Sequence, residues 1–182
     1  MKASCDPAIV IRPGQSADAP RLQAIEDAAG ALFAEVGLPE VAFMAPRSRR
    51  LLVEAAEAER LWVACLSQRP VGFALVERLA DGTLHLEELS VDPAYGRRGI
   101  GTALVRHVEE ALAVRGHTAL TLSTFRDVAW NAPWYRRLGY RILNDDDLTP
   151  VLQAVRREEA ALGLAPGSRV VMQKQFYEDA EN

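Results

Sequence analysis

A glycine-rich segment, YGRRGIG at residues 95–101, separates a run with strand-like alternation from a run with apolar residues at helical spacing. A strand, a tight glycine turn and a helix N-terminus together form an anion site. The first helical amides have no internal partner, and the helix dipole attracts negative charge. Arg97 and Arg98 add positive charge to the turn. The segment therefore predicts phosphate binding, the alternative being a glycine turn whose arginines are only solvated.

The order of the glycines narrows the class of phosphate-binding protein. Gly96, Gly99 and Gly101 give the pattern G-R-R-G-I-G. This is neither the G-x-G-x-x-G of dinucleotide-binding folds nor the G-x-x-x-x-G-K-[ST] of P-loop NTPases. Both of those classes therefore fit the sequence poorly.

The rest of the chain alternates strand and helix patterns. Strands are predicted near residues 8–14, 61–67, 71–79, 84–91, 118–125, 140–143 and 168–176, and helices near 17–37, 48–60, 100–116, 132–139 and 148–163. Ser16 and Asp147 are expected to cap the first and last of these helices. Hairpins followed by helical crossovers indicate a mixed α/β sheet. We expect one domain over residues 1–182, with a core at about 8–143 and a C-terminal helix and strand at 148–176.

Composition narrows the range of partners. The net charge of −4 argues against nucleic acid, because phosphate contacts need clustered lysine and arginine. No apolar run approaches the roughly 20 residues of a membrane helix, and the N-terminus lacks an apolar signal segment, so a cytoplasmic location is expected. Cys5 and Cys65 are too few and too scattered for a disulfide framework or a zinc site, and we expect no metal. Cys65 is expected in the core and Cys5 in a loose tail.

The segment VDPAYGRRGIGTALVRHVEEAL at residues 91–112 resembles the acetyl-CoA-binding motif of the GCN5-related N-acetyltransferase (GNAT) superfamily, [QR]-x-x-G-x-[GA]. Gly99 and Gly101 match this motif, whereas Gly96 stands where Gln or Arg is usual. In that family the loop amides and the helix N-terminus hold the pyrophosphate of coenzyme A. The resemblance implies coenzyme A contacts at Leu89, Ser90, Val91, Arg97, Arg98, Gly99, Ile100, Gly101 and Thr102. It also implies an α/β (α+β) fold, a mixed, mostly antiparallel sheet of about seven strands with helices on both faces.

A second segment, NAPWYRRLGY at residues 131–140, resembles the later signature of the same family. Tyr135, Gly139 and Tyr140 match its Y-x-x-x-G-[FY] pattern. Family members with a Trp-Asn-x-Pro opening, such as the diamine acetyltransferases, usually have three more residues before the tyrosine. Asn131 therefore either contacts coenzyme A from a shortened turn or does not contact it.

Acetyl transfer to an amine needs a proton acceptor, because a primary alkylamine has a pKa of about 10.4 and is mostly ammonium at neutral pH. The resemblance places the thioester at the backbone N–H of Leu89. It implies proton acceptance on the same strand, with Glu87 ranked first, His85 second and Glu88 third. Glu87 has the alternative of a solvated or salt-bridged strand residue, and His85 that of a structural residue.

The departing thiolate needs a proton as well. The resemblance implies that Tyr135 supplies it to the sulfur of coenzyme A, with a core tyrosine as the alternative. Neither cysteine lies in a motif that suggests a nucleophile. The sequence thus predicts an N-acetyltransferase that transfers acetyl from acetyl-CoA directly to a small-molecule or peptide amine in a ternary complex, with a homodimer left open. The alternatives are a coenzyme A-binding sensor and an acyltransferase for a larger acyl group.

Overall fold

The computed structural model describes residues 8–176, which form seven strands, six α-helices and short 3₁₀ turns. The strands are β1 (Val10–Pro13), β2 (Leu61–Leu66), β3 (Arg69–Arg78), β4 (Leu84–Val91), β5 (Ala119–Phe125), β6 (Arg141–Ile142) and β7 (Arg169–Gln175). The helices are α1 (Ala19–Gly30), α2 (Pro39–Ala42), α3 (Arg49–Glu57), α4 (Ile100–Val114), α5 (Ala132–Arg137) and α6 (Pro150–Ala161). The sequence pattern did not predict the short helix α2, and the helix predicted near residues 17–37 ends at Gly30 and is followed by a 3₁₀ helix at Ala31–Val36. Cys5 lies outside the described residues.

The seven strands within residues 8–176 form one sheet in the order β1-β2-β3-β4-β5-β7-β6. β2 pairs antiparallel with β1 and β3, and β7 pairs antiparallel with β5 and β6. β4 and β5 are parallel and pair at His85↔Thr121 and Leu86↔Leu122. The prediction of a mixed, mostly antiparallel sheet of about seven strands is therefore confirmed.

The described residues divide into two compact units, of which the first comprises residues 8–75 and Glu88–Val108. Its core joins side chains of α1 and α3 to those of β2 and β3. Leu22 and Ile25 are three residues apart on α1 and share a helix face, so both are buried in this core. Cys65 of β2 is buried in the same core, as the sequence predicts.

The second unit comprises Val76–Glu87 and residues 109–176. Its strand β7 carries three consecutive buried residues and has β5 on one side and β6 on the other. Leu148 and Leu152 pack against Val171 of β7 in a small apolar cluster. This contact attaches α6 to the sheet of the second unit.

The ends of the first and last helices differ from the sequence prediction. Ser16 is not the cap of α1, because a 3₁₀ turn at Ser16–Asp18 precedes the helix and Asp18 accepts a hydrogen bond from Gln15 N at 2.8 Å. Asp147 does not cap α6. The cap is Thr149, whose hydroxyl accepts a hydrogen bond from Leu152 N at 3.4 Å. Pro150 explains the second difference, since proline favours the first helical position and so places the cap at the residue before it.

Candidate functional site

The glycine-rich segment joins the end of β4 to the start of α4 in the first unit. The first backbone bond of α4 runs from Ala103 N to Gly99 O at 2.9 Å. The amides of Ile100, Gly101 and Thr102 lie before that bond, so the helix supplies no partner for them. Gly99 has φ of +75°, a conformation that favours glycine, and a Cβ there would meet nothing within 4 Å. The segment therefore places three amides without helical partners directly after an exposed glycine.

Two arginines border these amides. Arg97 and Arg98 are both exposed, and the Arg98 guanidinium lies 5.8 Å from the centre of the Tyr95 ring. Arg97 has φ of +59°, which is uncommon for a residue other than glycine. Gly96 has φ of −58°, which any residue can adopt, but a Cβ there would lie only 3.2 Å from Pro93 O. The positive charge predicted from the sequence is therefore available beside the start of α4.

Gly72 of β3 allows a close approach of backbones next to this segment. A Cβ at this position would lie 3.0 Å from Ser90 O, 3.2 Å from Val91 Cγ2 and 3.3 Å from Ile100 Cγ2. A larger residue at position 72 would therefore displace the end of β4 or the first residue of α4. Ile100 is fully buried, so it anchors the helix start while the preceding loop stays exposed.

Arg21 of α1 holds the beginning of the loop. Its guanidinium donates to the Asp92 carboxylate, and its Nε donates to Pro70 O at 3.2 Å. Asp92 also accepts from Ala94 N at 3.0 Å and donates its own N–H to Val71 O at 2.9 Å. Burial acts to raise the pKa of Asp92, but the hydrogen bond from Arg21 lowers this pKa below its ordinary value. Asp92 is thus a fixed, ionised point at the entry to the loop.

We expect Arg21→Ala to weaken coenzyme A binding by up to about tenfold, because a lost hydrogen bond to a charged group costs about 1.5–3 kcal/mol and this pair is partly exposed. The loss would act by loosening the loop, since Arg21 itself is not expected to touch the ligand. Calorimetry with coenzyme A measures the affinity, and Arg50→Ala, which breaks the exposed Arg50–Glu54 pair, is the control. An unchanged affinity with a lower melting temperature would restrict Arg21 to a role in stability.

His85 lies in the interior of the second unit, with 2% of its surface exposed. Its Nδ1 is 2.9 Å from the Thr121 hydroxyl oxygen, and that hydroxyl donates its single proton to Leu84 O at 2.9 Å. His85 must therefore donate from Nδ1, which leaves Nε2 without a proton. Burial lowers the pKa of His85 to about 4, so the imidazole is neutral at physiological pH. These surroundings favour the structural reading of His85.

Glu87 is half-buried and belongs to the second unit. Glu88, the next residue of β4, belongs to the first unit. The Ser90 hydroxyl donates to Glu88 Oε1 at 2.7 Å, and Arg47 Nη1 lies 3.5 Å from Glu88 Oε2. Glu88 is thus held by a residue of its own strand and by a residue of the segment before α3.

Arg47 is also bound to Glu26 of α1. Glu26 accepts from Arg47 N at 2.9 Å and from Arg47 Nη1 at 3.1 Å. We call Glu26, Arg47, Glu88 and Ser90 the carboxylate network. Sequence reasoning missed Glu26 and Arg47, although one signal was present. Glu26 stands four residues after Leu22, on the buried face of α1, where an apolar residue is expected.

Burial, together with the neighbouring Glu88 carboxylate, raises the pKa of Glu26 to about 7, although Arg47 acts in the opposite direction. The folded protein therefore holds this proton more tightly than the unfolded chain, whose glutamate titrates near 4.5. The corresponding contribution to the free energy of unfolding is full below pH 4.5 and is lost as the pH rises through about 7.

Glu26→Gln is accordingly expected to raise the melting temperature, relative to the parent protein, more at pH 8 than at pH 4.5. A difference of about 1 kcal/mol, discounted for partial exposure, would correspond to about 2–4 °C in a domain of this size. Thermal melts of both proteins across this range measure it, with the exposed Glu54→Gln as control. A difference in melting temperature that does not change with pH would contradict the raised pKa.

Tyr135 and Asn131 lie at α5 in the second unit. Tyr135 is 7% exposed, and its ring centre lies 4.7 Å from that of Trp134 and 5.5 Å from that of Tyr140. Asn131 is buried, and its Oδ1 accepts from Phe125 N at 3.4 Å. That contact ties the end of β5 to the start of α5, which favours the reading in which Asn131 does not contact coenzyme A.

The predicted site residues fall into two groups. The first unit contains Glu88, Leu89, Ser90, Val91, Arg97, Arg98, Gly99, Ile100, Gly101 and Thr102, and the second contains His85, Glu87, Asn131 and Tyr135.

Among residues 8–176, no three His, Cys, Asp or Glu side chains are grouped so that they could hold a metal ion. In the same range, every helix is too short or too polar to cross a membrane.

Known proteins resemble this chain in sequence and in fold. Residues 25–140, more than half of the chain, match the model of the Acetyltransferase (GNAT) family. The PaiA N-acetyltransferase of Thermoplasma acidophilum, solved in complex with coenzyme A, is 17% identical, with 92% of this chain and 99% of that chain covered and a TM-score of 0.68.

Two further solved structures show the same fold. The ribosomal-protein-S18-alanine N-acetyltransferase of Escherichia coli is 20% identical, with 96% of this chain and 98% of that chain covered and a TM-score of 0.65. Rv2747 of Mycobacterium tuberculosis, solved with CoA, is 21% identical, with 91% and 98% covered and a TM-score of 0.64. The predicted GNAT fold is therefore confirmed.

Proposed function

Because the chain belongs to the acetyltransferase (GNAT) family, we propose that it transfers an acetyl group from acetyl-CoA to a primary amine of a small molecule or peptide. The observation that carries the proposal is the start of α4, where three amides without helical partners follow the exposed Gly99. The presence of coenzyme A in the solved Thermoplasma acidophilum and Mycobacterium tuberculosis proteins supports the choice of ligand.

The pyrophosphate of coenzyme A is the part that the loop would bind. Each phosphate would accept hydrogen bonds from the amides of Ile100, Gly101 and Thr102, and the helix dipole would add to the attraction. Arg97 and Arg98 are exposed beside these amides and would neutralise the remaining charge. This chemistry needs no metal ion.

The proposed reaction passes through a ternary complex without a covalent acyl-enzyme. The ammonium of the acceptor first gives a proton to a side chain of β4, for which the sequence ranks Glu87 before His85 and Glu88. The neutral nitrogen then attacks the acetyl carbon, and the Leu89 N–H stabilises the resulting oxyanion.

The second half of the reaction expels coenzyme A. The nitrogen of the tetrahedral intermediate releases its second proton, the carbon–sulfur bond breaks, and the thiolate takes a proton from the phenol of Tyr135. The phenolate regains a proton from water. The products are the amide, free coenzyme A and one proton, so the charges balance.

A thiol-release assay over a panel of amines tests this function. Free thiol should appear from acetyl-CoA at a rate that depends on the amine and saturates with its concentration. Binding of coenzyme A in calorimetry without thiol release for any amine would instead identify a coenzyme A sensor. Faster release from propionyl- or succinyl-CoA than from acetyl-CoA would identify a larger acyl donor.

The proposal also covers the domain organisation, the location and the partners of the protein. We propose that the chain is one acetyltransferase domain over residues 1–182. The proposed location is the cytoplasm, and the proposed partners are acetyl-CoA and the acceptor amine, without nucleic acid or membrane. A homodimer is compatible with this arrangement.

A further inference from the structure

The helix α6 lies over one face of the sheet in the second unit. Leu152, in the first turn of the helix, packs against Val171 of β7. Glu159, in the last turn, accepts a hydrogen bond from Arg169 Nε at 3.1 Å. Arg169 and Val171 are two positions apart, so both side chains lie on the same face of β7. The helix therefore covers this face along its whole length.

The surface beneath α6 is largely polar. The antiparallel register places Ser123 of β5 directly opposite Val171. Ser123 therefore shares the face that α6 covers, and Thr121, two positions earlier, does so as well. The hydrogen bond between the His85 and Thr121 side chains adds His85 of β4 to the same surface. These polar side chains stand where the covered face of a sheet is usually apolar.

The contact between α6 and this surface leaves polar atoms unpaired. Among residues 8–176, five buried side-chain atoms have no hydrogen-bond partner, and three of them are Ser123 Oγ, Arg156 Nε and Glu159 Oε2. The last two are 3.8 Å apart, which is too far for a hydrogen bond. A buried polar atom without a partner has lost its hydration without compensation. All three atoms would regain hydration if α6 moved away from the sheet.

The C-terminal end of α6 is the end that is held less firmly. Of the twelve described residues of α6, only Leu152 is buried, and it lies near the N-terminal end. The connection from α6 to β7 contains Gly163 and Gly167, which are both exposed, and a Cβ at either position would meet nothing within 4 Å. This connection is therefore free of close packing on its glycines, and it leaves room for the end of the helix to move.

We propose that α6 is a pH-sensitive lid whose C-terminal end moves away from β5 and exposes His85 as the pH falls. The charged groups that face His85 are Glu159 of α6 and Arg169 of β7, while its neighbour on β5 is the uncharged Thr121. In the closed position burial lowers the pKa of His85 to about 4, whereas an exposed histidine titrates near 6.5. Between these pH values the open lid binds a proton and the closed lid does not. A falling pH therefore favours opening.

Amide hydrogen exchange of the full chain at pH 7.5 and pH 5, without coenzyme A or an amine, tests the lid. After correction for the intrinsic exchange rate, the protection of residues 153–161 should fall by about tenfold or more between these pH values. One proton changes the opening equilibrium by up to about tenfold per pH unit. The amides of Leu122 in β5 and Met172 in β7 should keep their protection, because the sheet itself does not open.

Two variants assign the effect to its parts. His85→Asn keeps a donor for the Thr121 hydroxyl but cannot be protonated, so α6 should lose the pH dependence of its protection. Glu159→Gln breaks the ion pair with Arg169, so it should lower the protection of α6 at both pH values and keep the pH dependence. If His85→Asn does not fold, the pH profile of the parent decides instead. Its change must begin near pH 6.5, above the ordinary range of carboxylates.

Two controls exclude other titrating groups. Glu158→Gln changes the exposed neighbour of Glu159 on the same helix and should match the parent protein. Glu26, whose pKa is raised to about 7, belongs to the first unit, so Glu26→Gln should keep the pH dependence of α6.

Three outcomes would overturn the inference. The protection of α6 could be equal at both pH values, or β5 and β7 could lose protection together with α6, which would indicate unfolding of the whole unit. A folded His85→Asn protein that keeps the pH dependence of the parent would also exclude the lid. None of these outcomes bears on acetyl transfer, because exchange is measured without substrates. Conversely, a protein that releases no thiol with any amine would leave the lid unaffected.

Discussion

Gly99→Glu is expected to weaken coenzyme A binding by at least about a hundredfold. The side chain would find open space, since a Cβ at this position meets nothing within 4 Å, so the effect would come from charge and from the backbone. Two unit charges about 4 Å apart interact by about 4 kcal/mol at an effective dielectric constant of about 20. A carboxylate beside the amides of Ile100 and Gly101 would repel the pyrophosphate by an energy of this order.

The control for this variant is Gly116→Glu. Gly116 follows α4 and has φ of +84° against +75° for Gly99, and a Cβ at this position would also meet nothing within 4 Å. The strain of a side chain at positive φ is therefore matched, while the charge is placed beyond the other end of the helix. Calorimetry with coenzyme A should show normal affinity for this control. Equal losses for both variants would assign the effect to strain and not to an anion site.

The two arginines of the loop allow an independent check. Replacing Arg97 and Arg98 together by alanine should weaken binding, and the effect should be larger at low salt because both side chains are exposed. If affinity is unchanged in this double variant and in Gly99→Glu, the loop does not bind the ligand.

The loop and the helix that follows it could be predicted because their signals are local. Gly99 and Gly116 bracket α4, and both adopt the positive φ that glycine tolerates. The apolar repeat from Ile100 onward gave the buried face of the helix, where Leu104 and Val108 are fully buried. Neither observation needs any knowledge of a distant part of the chain.

The helix caps show where local reasoning fails by a few residues. Asp147 and Thr149 are both good capping residues, and the sequence alone does not rank them. Pro150 decides the matter, because its fixed φ suits the first turn of the helix. Asp147 instead lies in a 3₁₀ turn and accepts from Asn144 Nδ2 at 3.0 Å.

The carboxylate network could not be predicted, because its members come from three separate parts of the chain. Arg47 is 21 positions from Glu26 and 41 from Glu88, and no motif fixes either spacing. The same is true of His85 and Thr121, which are 36 positions apart and meet through the parallel pairing of β4 and β5. The sequence suggested which residue types could accept a proton. Only the folded structure shows that His85 is enclosed, which lowers its pKa, whereas Glu88 shares an arginine with a second carboxylate.

Tyr135→Phe is expected to lower the turnover rate by about tenfold or more while leaving acetyl-CoA affinity near normal. The thiol of coenzyme A has a pKa of about 8.5 if free cysteine is taken as a guide, so its thiolate leaves tolerably well without help. General acid catalysis should therefore contribute no more than the usual 10²–10⁴-fold. The substitution removes one oxygen and keeps the ring, so the edge contacts with Trp134 and Tyr140 should persist.

Tyr140→Phe is the matched control, because Tyr140 is also buried and lies 5.5 Å, centre to centre, from Tyr135. Burial and the neighbouring Glu109 raise the pKa of Tyr140 well above its ordinary value, so its phenol keeps its proton at physiological pH. Steady-state rates and thermal melts of the two variants separate the two readings of Tyr135. A general acid predicts lost turnover with an almost unchanged melting temperature in Tyr135→Phe and preserved turnover in Tyr140→Phe. If Tyr135 is only a core residue, Tyr135→Phe should lower the melting temperature and preserve turnover. Full activity in that variant would exclude the general-acid role.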